Sequence, residues 1–200
     1  MNFVEKLYTG IQPPEDINVV IEISKGSNIK YELNLDNGLL YVDRILSVEM
    51  VYPFNYGFIP QTIENLDDDF KNIDNLDAFV LGIDSLQPLS IINCTPIGII
   101  FTEDQDGLDS KIIATPISKI GDWSNMGGDI NDSNLHFLNK LKHFIEHHKD
   151  LEKDKFVKIR GFGNKEKSKQ IILESMKIMK NIKTVVDKAK NHHSCNYDTN

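Results

Sequence analysis

Two groups of carboxylates in this 200-residue chain are spaced as ligands for hard cations. Asp74 and Asp77 lie in NIDNLDAFVL, just ahead of an apolar strand, and Asp104, Asp106 and Asp109 lie in FTEDQDGLDSK, between two strand candidates. Magnesium-like ions take oxygen ligands and keep water and substrate phosphate in their shell, so two carboxylate loops at strand ends suit such a site. The same composition also suits solvated surface loops. A second set of charges is harder to assign to solvent. Lys30 and Glu32, two apart on a strand candidate, share a face. Glu22 interrupts the apolar run VVIEIS, and Arg44 closes LLYVDR. Charges inside apolar strands are costly unless they are paired or bound to a ligand, so a set of ion pairs and a ligand site are both open. In VYPFNYGFIP, Tyr52 and Tyr56 flank proline and glycine, which suits a rigid turn whose phenol groups either pack or line a rim.

The elements that must position these residues are strands first and helices later. Ile17–Ser24, Lys30–Leu35 and Leu39–Arg44 read as strands, with Asn37-Gly38 as a hairpin turn between the last two. Further short apolar runs follow at Ala78–Ile83, Leu89–Cys94, Ile97–Thr102 and Lys111–Pro116, punctuated by Pro53, Pro60, Pro88, Pro96 and Pro116. The period then changes. Asp132 or Ser133 can cap a helix running to about Asp150, with Leu138, Leu141 and Ile145 on its apolar stripe and His148 continuing it. A strand at Phe156–Arg160 precedes a second helix from about Lys165 to Lys190, with Ile171, Ile172, Met176, Met179 and Val186 as its apolar positions. Many short strands with turns between them predict a closed or nearly closed β-barrel with helices packed outside. One domain over residues 1–190 and a polar tail over 191–200 complete the organisation.

Composition narrows the partners. A net charge of -8, from 30 acidic and 22 basic residues, argues against a nucleic-acid or anionic-membrane surface. No apolar run approaches the roughly 20 residues that span a bilayer. The segment MNFVEKLYTG lacks the apolar stretch of a secretion signal. Two cysteines, Cys94 and Cys195, do not make a disulfide framework, so a reducing, cytoplasmic setting is expected.

In order and spacing these residues resemble the family I inorganic pyrophosphatases. The resemblance runs through IEI at Glu22, KYE at Lys30–Glu32, VDR at Asp43–Arg44 and YPxNYG at Tyr52–Gly57. It continues through the acidic segment ending at Asp77, P-x-G at Pro96–Gly98, D-x-x-G-x-D-x-K at Asp104–Lys111 and FxEHxKDLE at Phe144–Glu152, with Lys155 just after. It implies an α+β, mainly β fold, an OB-like closed β-barrel with two principal helices outside. It also implies hydrolysis of pyrophosphate to two phosphates by a magnesium-activated water, with Mn2+ as a possible substitute. Asp77, Asp109 and Asp104 would be metal ligands, and Glu22 and Glu32 would anchor metals or their water shells. Asp74 would help deprotonate the attacking water. Lys30, Arg44, Tyr56, Lys111 and Lys149 would hold phosphate oxygens, with Tyr52 supporting them. The family also implies a homo-oligomer, a hexamer or a dimer.

The chain departs from the family pattern at three places. The acidic signature D-x-D-P-x-D reads Asn72-Ile73-Asp74-Asn75-Leu76-Asp77, so a metal-ligand position holds an amide, and the stiffening proline is absent. An amide oxygen still ligates magnesium but carries no charge, and Asn72→Asp is expected to lower the magnesium requirement. An insertion, ENLDDDFK, brings Asp67, Asp68 and Asp69, as a solvated loop or as a replacement for that charge. His148 stands where the family has a phosphate-binding tyrosine; a histidine can donate a hydrogen bond there or simply pack on its helix. His143 and His147 read as exposed helix residues, and His192, His193 and Cys195 receive no role. The rival reading is a relative that binds pyrophosphate, nucleotide or metal without turnover. An OB-like barrel can also serve as a nucleic-acid platform, but the chain has no basic stripe interleaved with aromatics.

Overall fold

The computed structural model of the chain describes residues 6–66, 73–121, 128–132 and 135–194. Its centre is a ring of five strands. β1 (Ile17–Ile23) pairs antiparallel with β4 (Asn55–Phe58), which pairs antiparallel with β7 (Asp77–Val80). β7 runs parallel to β9 (Gly107–Pro116), and β9 is antiparallel to β8 (Ile91–Asp104). Pairing of β8 with β1, from Ile17↔Cys94 to Val20↔Ile91, closes the ring. β10 (Val157–Asn164) adds to the far half of β8. Two hairpins stand off the ring, β2 (Ile29–Asn34) with β3 (Leu39–Ile45), and β5 (Asn65–Leu66) with β6 (Ile73–Asp74). The helices are α1 (Leu135–His147) and α2 (Lys165–Ser194).

The alternation of side chains along each strand divides the core in two. Phe79 and Ile113 join Tyr52, Tyr56, Phe144 and Ile145 on the α1 side. Ala78, Val80, Ile112 and Ala114 join Ile172 on the α2 side. α2 begins where Asn164 Oδ1 accepts the Lys167 N–H at 2.9 Å, an N-cap bond, with Glu166 in the first turn. Ser133, one of the two residues expected to cap α1, lies outside the described residues, as do Asp67 to Asp69, Asn72 and Cys195.

Three expectations change. Leu89–Cys94 and Ile97–Thr102 are not two strands but parts of one, β8. Pro96 does not end it, because a bulge between Pro96 and Gly98 absorbs the irregularity while pairing with β9 continues. The bend lets one strand pair with β1 at its start and β10 at its end. At Gly98 an added Cβ would lie 2.6 Å from Ile130 Cβ, so the motif's glycine admits the turn before α1. The segment VYPFNYGFIP is not only a turn, since its second half is the buried strand β4. Gly57 there sits too close to the Val20 carbonyl for any side chain. The short β5–β6 pair was not anticipated.

Candidate active site

The parallel pairing of β7 with β9 sets Asp77 opposite Lys111. Asp109 and Lys111 are two apart on β9 and share a face. The Lys111 ammonium is 2.7 Å from Asp77 Oδ2 and also donates to Asp109 Oδ1. From β4, Tyr56 donates its hydroxyl to the same Asp77 oxygen. Glu64, just ahead of β5, accepts the Ser110 N–H, and its carboxylate completes a group with Asp77 and Asp109 whose oxygens lie within 4.8 Å of one another. No other such group occurs among the described residues. Burial alone would lower the Lys111 pKa, but Asp77, Asp109 and Glu64 together hold it well above the usual value. Burial pushes Glu64 up to about 8, an effect Lys111 only partly offsets. Burial and then Asp77 raise Tyr56, which keeps its proton to donate.

A second wall comes from β1, β2 and β6. Glu22, 9% exposed, accepts the Leu33 N–H at 2.8 Å, and burial pushes its carboxyl up to about 8. Lys30 contacts Glu32 on its own strand and Asp43 of β3 at 3.2 Å, so the charges on these strands do pair with one another. Burial lowers the Lys30 pKa, but Glu32 and Asp43 outweigh it and leave the pKa raised. Burial, then Asp77 and Glu32, raise the Asp74 carboxyl.

The third wall joins the end of β8 to the segment after α1. Lys149 donates to Asp104 Oδ2 at 2.8 Å, with both side chains about nine-tenths buried. Burial opposes the charge on Asp104, but Lys149 and the Asp106 N–H hold its carboxyl below the usual range. Arg44 reaches Asp43 through Nη1 at 3.2 Å. Its Nε lies 3.2 Å from Glu152 Oε1 without hydrogen-bond alignment, so that contact is electrostatic only. The His148 ring stacks on Phe144 at 4.9 Å and 16°, and its Nδ1 lies 3.0 Å from the Ile145 carbonyl. A carbonyl oxygen only accepts, so Nδ1 carries the proton; burial pushes the pKa down to about 4 and the ring is neutral. His143 and His147 are exposed, as expected, and His147 Nδ1 lies 2.8 Å from Asp150.

These walls enclose two adjoining clefts of about 470 and 300 Å³. Every expected site residue that the structure describes lines one or both. Glu22, Glu64 and Asp74 line only the larger, whereas Arg44, Lys111 and Lys149 line only the smaller, together with Tyr52 and His148. Lys30, Glu32, Tyr56, Asp77, Asp104 and Asp109 border both. Sequence reasoning missed Glu64, which it left within the insertion. The available signal was a single carboxylate directly after the apolar Ile63, set apart from the acidic run that follows.

A family model described as inorganic pyrophosphatase matches residues 19–180. The inorganic pyrophosphatase of Saccharolobus solfataricus is 44% identical over 171 residues, 86% of this chain and 96% of the relative. That of Sulfolobus acidocaldarius is 43% identical over 172 residues, with 86% and 96% covered. A solved structure of the Helicobacter pylori inorganic pyrophosphatase matches with a TM-score of 0.80 at 41% identity, covering 88% of this chain and 99% of that one. With both sequence and fold matched almost end to end in these relatives, the chain belongs to the inorganic pyrophosphatase family.

Proposed function

We propose that the chain hydrolyses inorganic pyrophosphate to two phosphates, with magnesium as its activating cation and manganese as a possible substitute. The observation that carries this reading is how the cleft sorts charge: Glu22, Glu64 and Asp74 line only its larger part, Arg44, Lys111, Lys149 and Lys155, with Asp43, line only its smaller part, and Asp77, Asp104 and Asp109 border both. A polyanionic substrate that must meet a water nucleophile needs both parts. Hard divalent cations fit the donor set, since Glu64, Asp77 and Asp109 offer only carboxylate oxygens, within 4.8 Å of one another. Bound there, such cations would neutralise substrate oxygens and acidify the attacking water. Asp77, Asp109 and Asp104 would hold them, with Glu22, Glu32 and Asn72 contributing directly or through water.

The rest of the chemistry belongs to side chains. Asp74, whose carboxyl is raised by burial and by Asp77, would accept the proton of the attacking water. Lys111, Arg44 and Lys149 would bind phosphate oxygens and stabilise charge on the leaving phosphate, aided by Lys30 and the Tyr56 hydroxyl. Tyr52 packs 5.6 Å from the Tyr56 ring and would fix its orientation. Neutral His148, with its proton on Nδ1, would present only an acceptor nitrogen, which cannot donate to a phosphate oxygen as a phenol hydroxyl does.

The test is phosphate release from purified protein given pyrophosphate, across magnesium and manganese titrations, with Asp74→Asn as control. Release should require the metal and fall by at least about 100-fold in the variant. Pyrophosphate binding without release at any metal concentration would replace this reading with the binding-protein one. We further propose a cytoplasmic homo-oligomer, hexameric or dimeric, which a solution mass measurement would decide. No helix among the described residues is long and apolar enough to cross a membrane.

A further inference from the structure

We infer that Glu64 supplies the metal-binding carboxylate that the acidic signature lacks at Asn72. The inference rests on the pyrophosphatase reading for its cation and adds a residue from outside the signature. Glu64 lies on the near side of the β5–β6 hairpin, whereas Asn72 directly precedes β6. The fold brings Glu64, eight positions earlier in the chain, to Asp77 and Asp109, with oxygens of all three within 4.8 Å. Two of these carboxylates already face a cation, because the Lys111 ammonium contacts both Asp77 and Asp109. With a divalent cation beside it to offset the burial that raises its carboxyl, Glu64 is ionised, and three carboxylates against one ammonium then leave two negative charges for that cation to neutralise. Without Glu64 only one would remain.

The backbone holds Glu64 in place independently of any cation. Its own N–H donates to the Asp74 carbonyl at 2.7 Å, which registers it beside the catalytic candidate. The preceding residue, Ile63, is gripped by Ser175 of α2, whose Oγ accepts the Ile63 N–H at 2.6 Å and donates to the Ile63 carbonyl at 2.7 Å. One Glu64 oxygen takes the Ser110 N–H, and a carboxylate retains a second oxygen for a cation. Glutamine keeps the first function and loses the charge, so Glu64→Gln separates the two.

The experiment measures Mn2+ affinity directly, by the loss of the free-ion electron paramagnetic resonance signal, for the intact chain, Glu64→Gln, and Glu64→Gln combined with Asn72→Asp. Glu64→Gln should weaken the tightest Mn2+ site by at least about tenfold. Adding Asn72→Asp should recover affinity to within about threefold of the unaltered chain, because the charge returns from the signature position. An affinity within about twofold of the unaltered chain in Glu64→Gln would overturn the inference. Weakening that Asn72→Asp does not recover would also overturn it, since Glu64 would then not be replacing the charge missing at Asn72. Circular dichroism melts without metal verify folding, and Glu64→Ala, which also removes the charge, serves as a second variant should Gln not fold. Because ion binding is read without turnover, a failure of the hydrolysis reading would appear separately, as no phosphate release alongside intact Mn2+ binding.

Discussion

His148 shows how one side chain's environment sets its use. Stacked on Phe144 and donating from Nδ1 to backbone carbonyls, it is held neutral, its pKa pushed by burial from 6.5 to about 4. Lys149 and Arg44 also disfavour the imidazolium. The unfolded chain therefore binds more protons between these two values, and stability falls as pH drops from about 6.5 toward 4. By pH 4.5 the loss reaches roughly 2 kcal/mol. In His148→Phe that part of the pH dependence should vanish, which thermal melts of the two proteins at pH 7 and 4.5 would measure; parallel curves would refute it. At this scale the site was largely legible. Asp77, Asp109 and Lys111 sit in compact motifs whose spacing survives folding as strand alternation. Glu64 was not legible, because its role depends on Ser110 and Asp77, 46 and 13 positions away, and no local pattern marks that meeting.

At the scale of elements, α2 does more than cover the sheet. Through Ser175 it fixes the backbone of Ile63, and Met179 and Ile182 bury the Ile63 side chain. Ser175→Ala removes both hydrogen bonds and should cost about 1–3 kcal/mol in stability, leaving buried Ile63 polar groups without a partner. It should also weaken Mn2+ binding with no change to any carboxylate; an affinity equal to the unaltered chain's would show that the grip on Ile63 does not reach Glu64. Strands and helices were mostly readable from period and turn residues. The failures have one origin. β4 resembles a turn because Gly57 and the nearby prolines look like breakers, yet Gly57 is there because the Val20 carbonyl approaches from β1. Pro96 looks like a stop, yet β8 passes it by a bulge. In both cases a neighbouring element supplies the reason for the residue.

Across the whole molecule, the ring closure follows from many short strands, whose edges are otherwise left unpaired. What composition could not supply was the sorting of charge. A net charge of -8 says nothing about where the basic residues gather, and the fold sets Arg44, Lys111 and Lys149 in one cleft and Glu22, Glu64 and Asp74 in the other. The segments that achieve this sorting lie far apart in the chain, from β1 to the segment after α1, so only the closed ring makes one site of them.

The parallel pairing of β7 with β9 carries a kinetic consequence. β8 and β9 form a hairpin whose ends meet at Asp104↔Gly107, a local contact that can form early. β7 joins β9 across the whole of that hairpin, so the meeting of Asp77 with Asp109 and Lys111 is expected to follow hairpin formation and to fall after the folding barrier. Interactions completed after the transition state act on unfolding and leave the folding rate nearly unchanged. Magnesium is therefore expected to slow the unfolding limb of a stopped-flow chevron and to leave the folding limb almost untouched. A folding limb that accelerates with magnesium would place the joining of these two strands before the barrier. On the expected order, the cation acts as a latch on a finished chain and gives no help to an unfinished one.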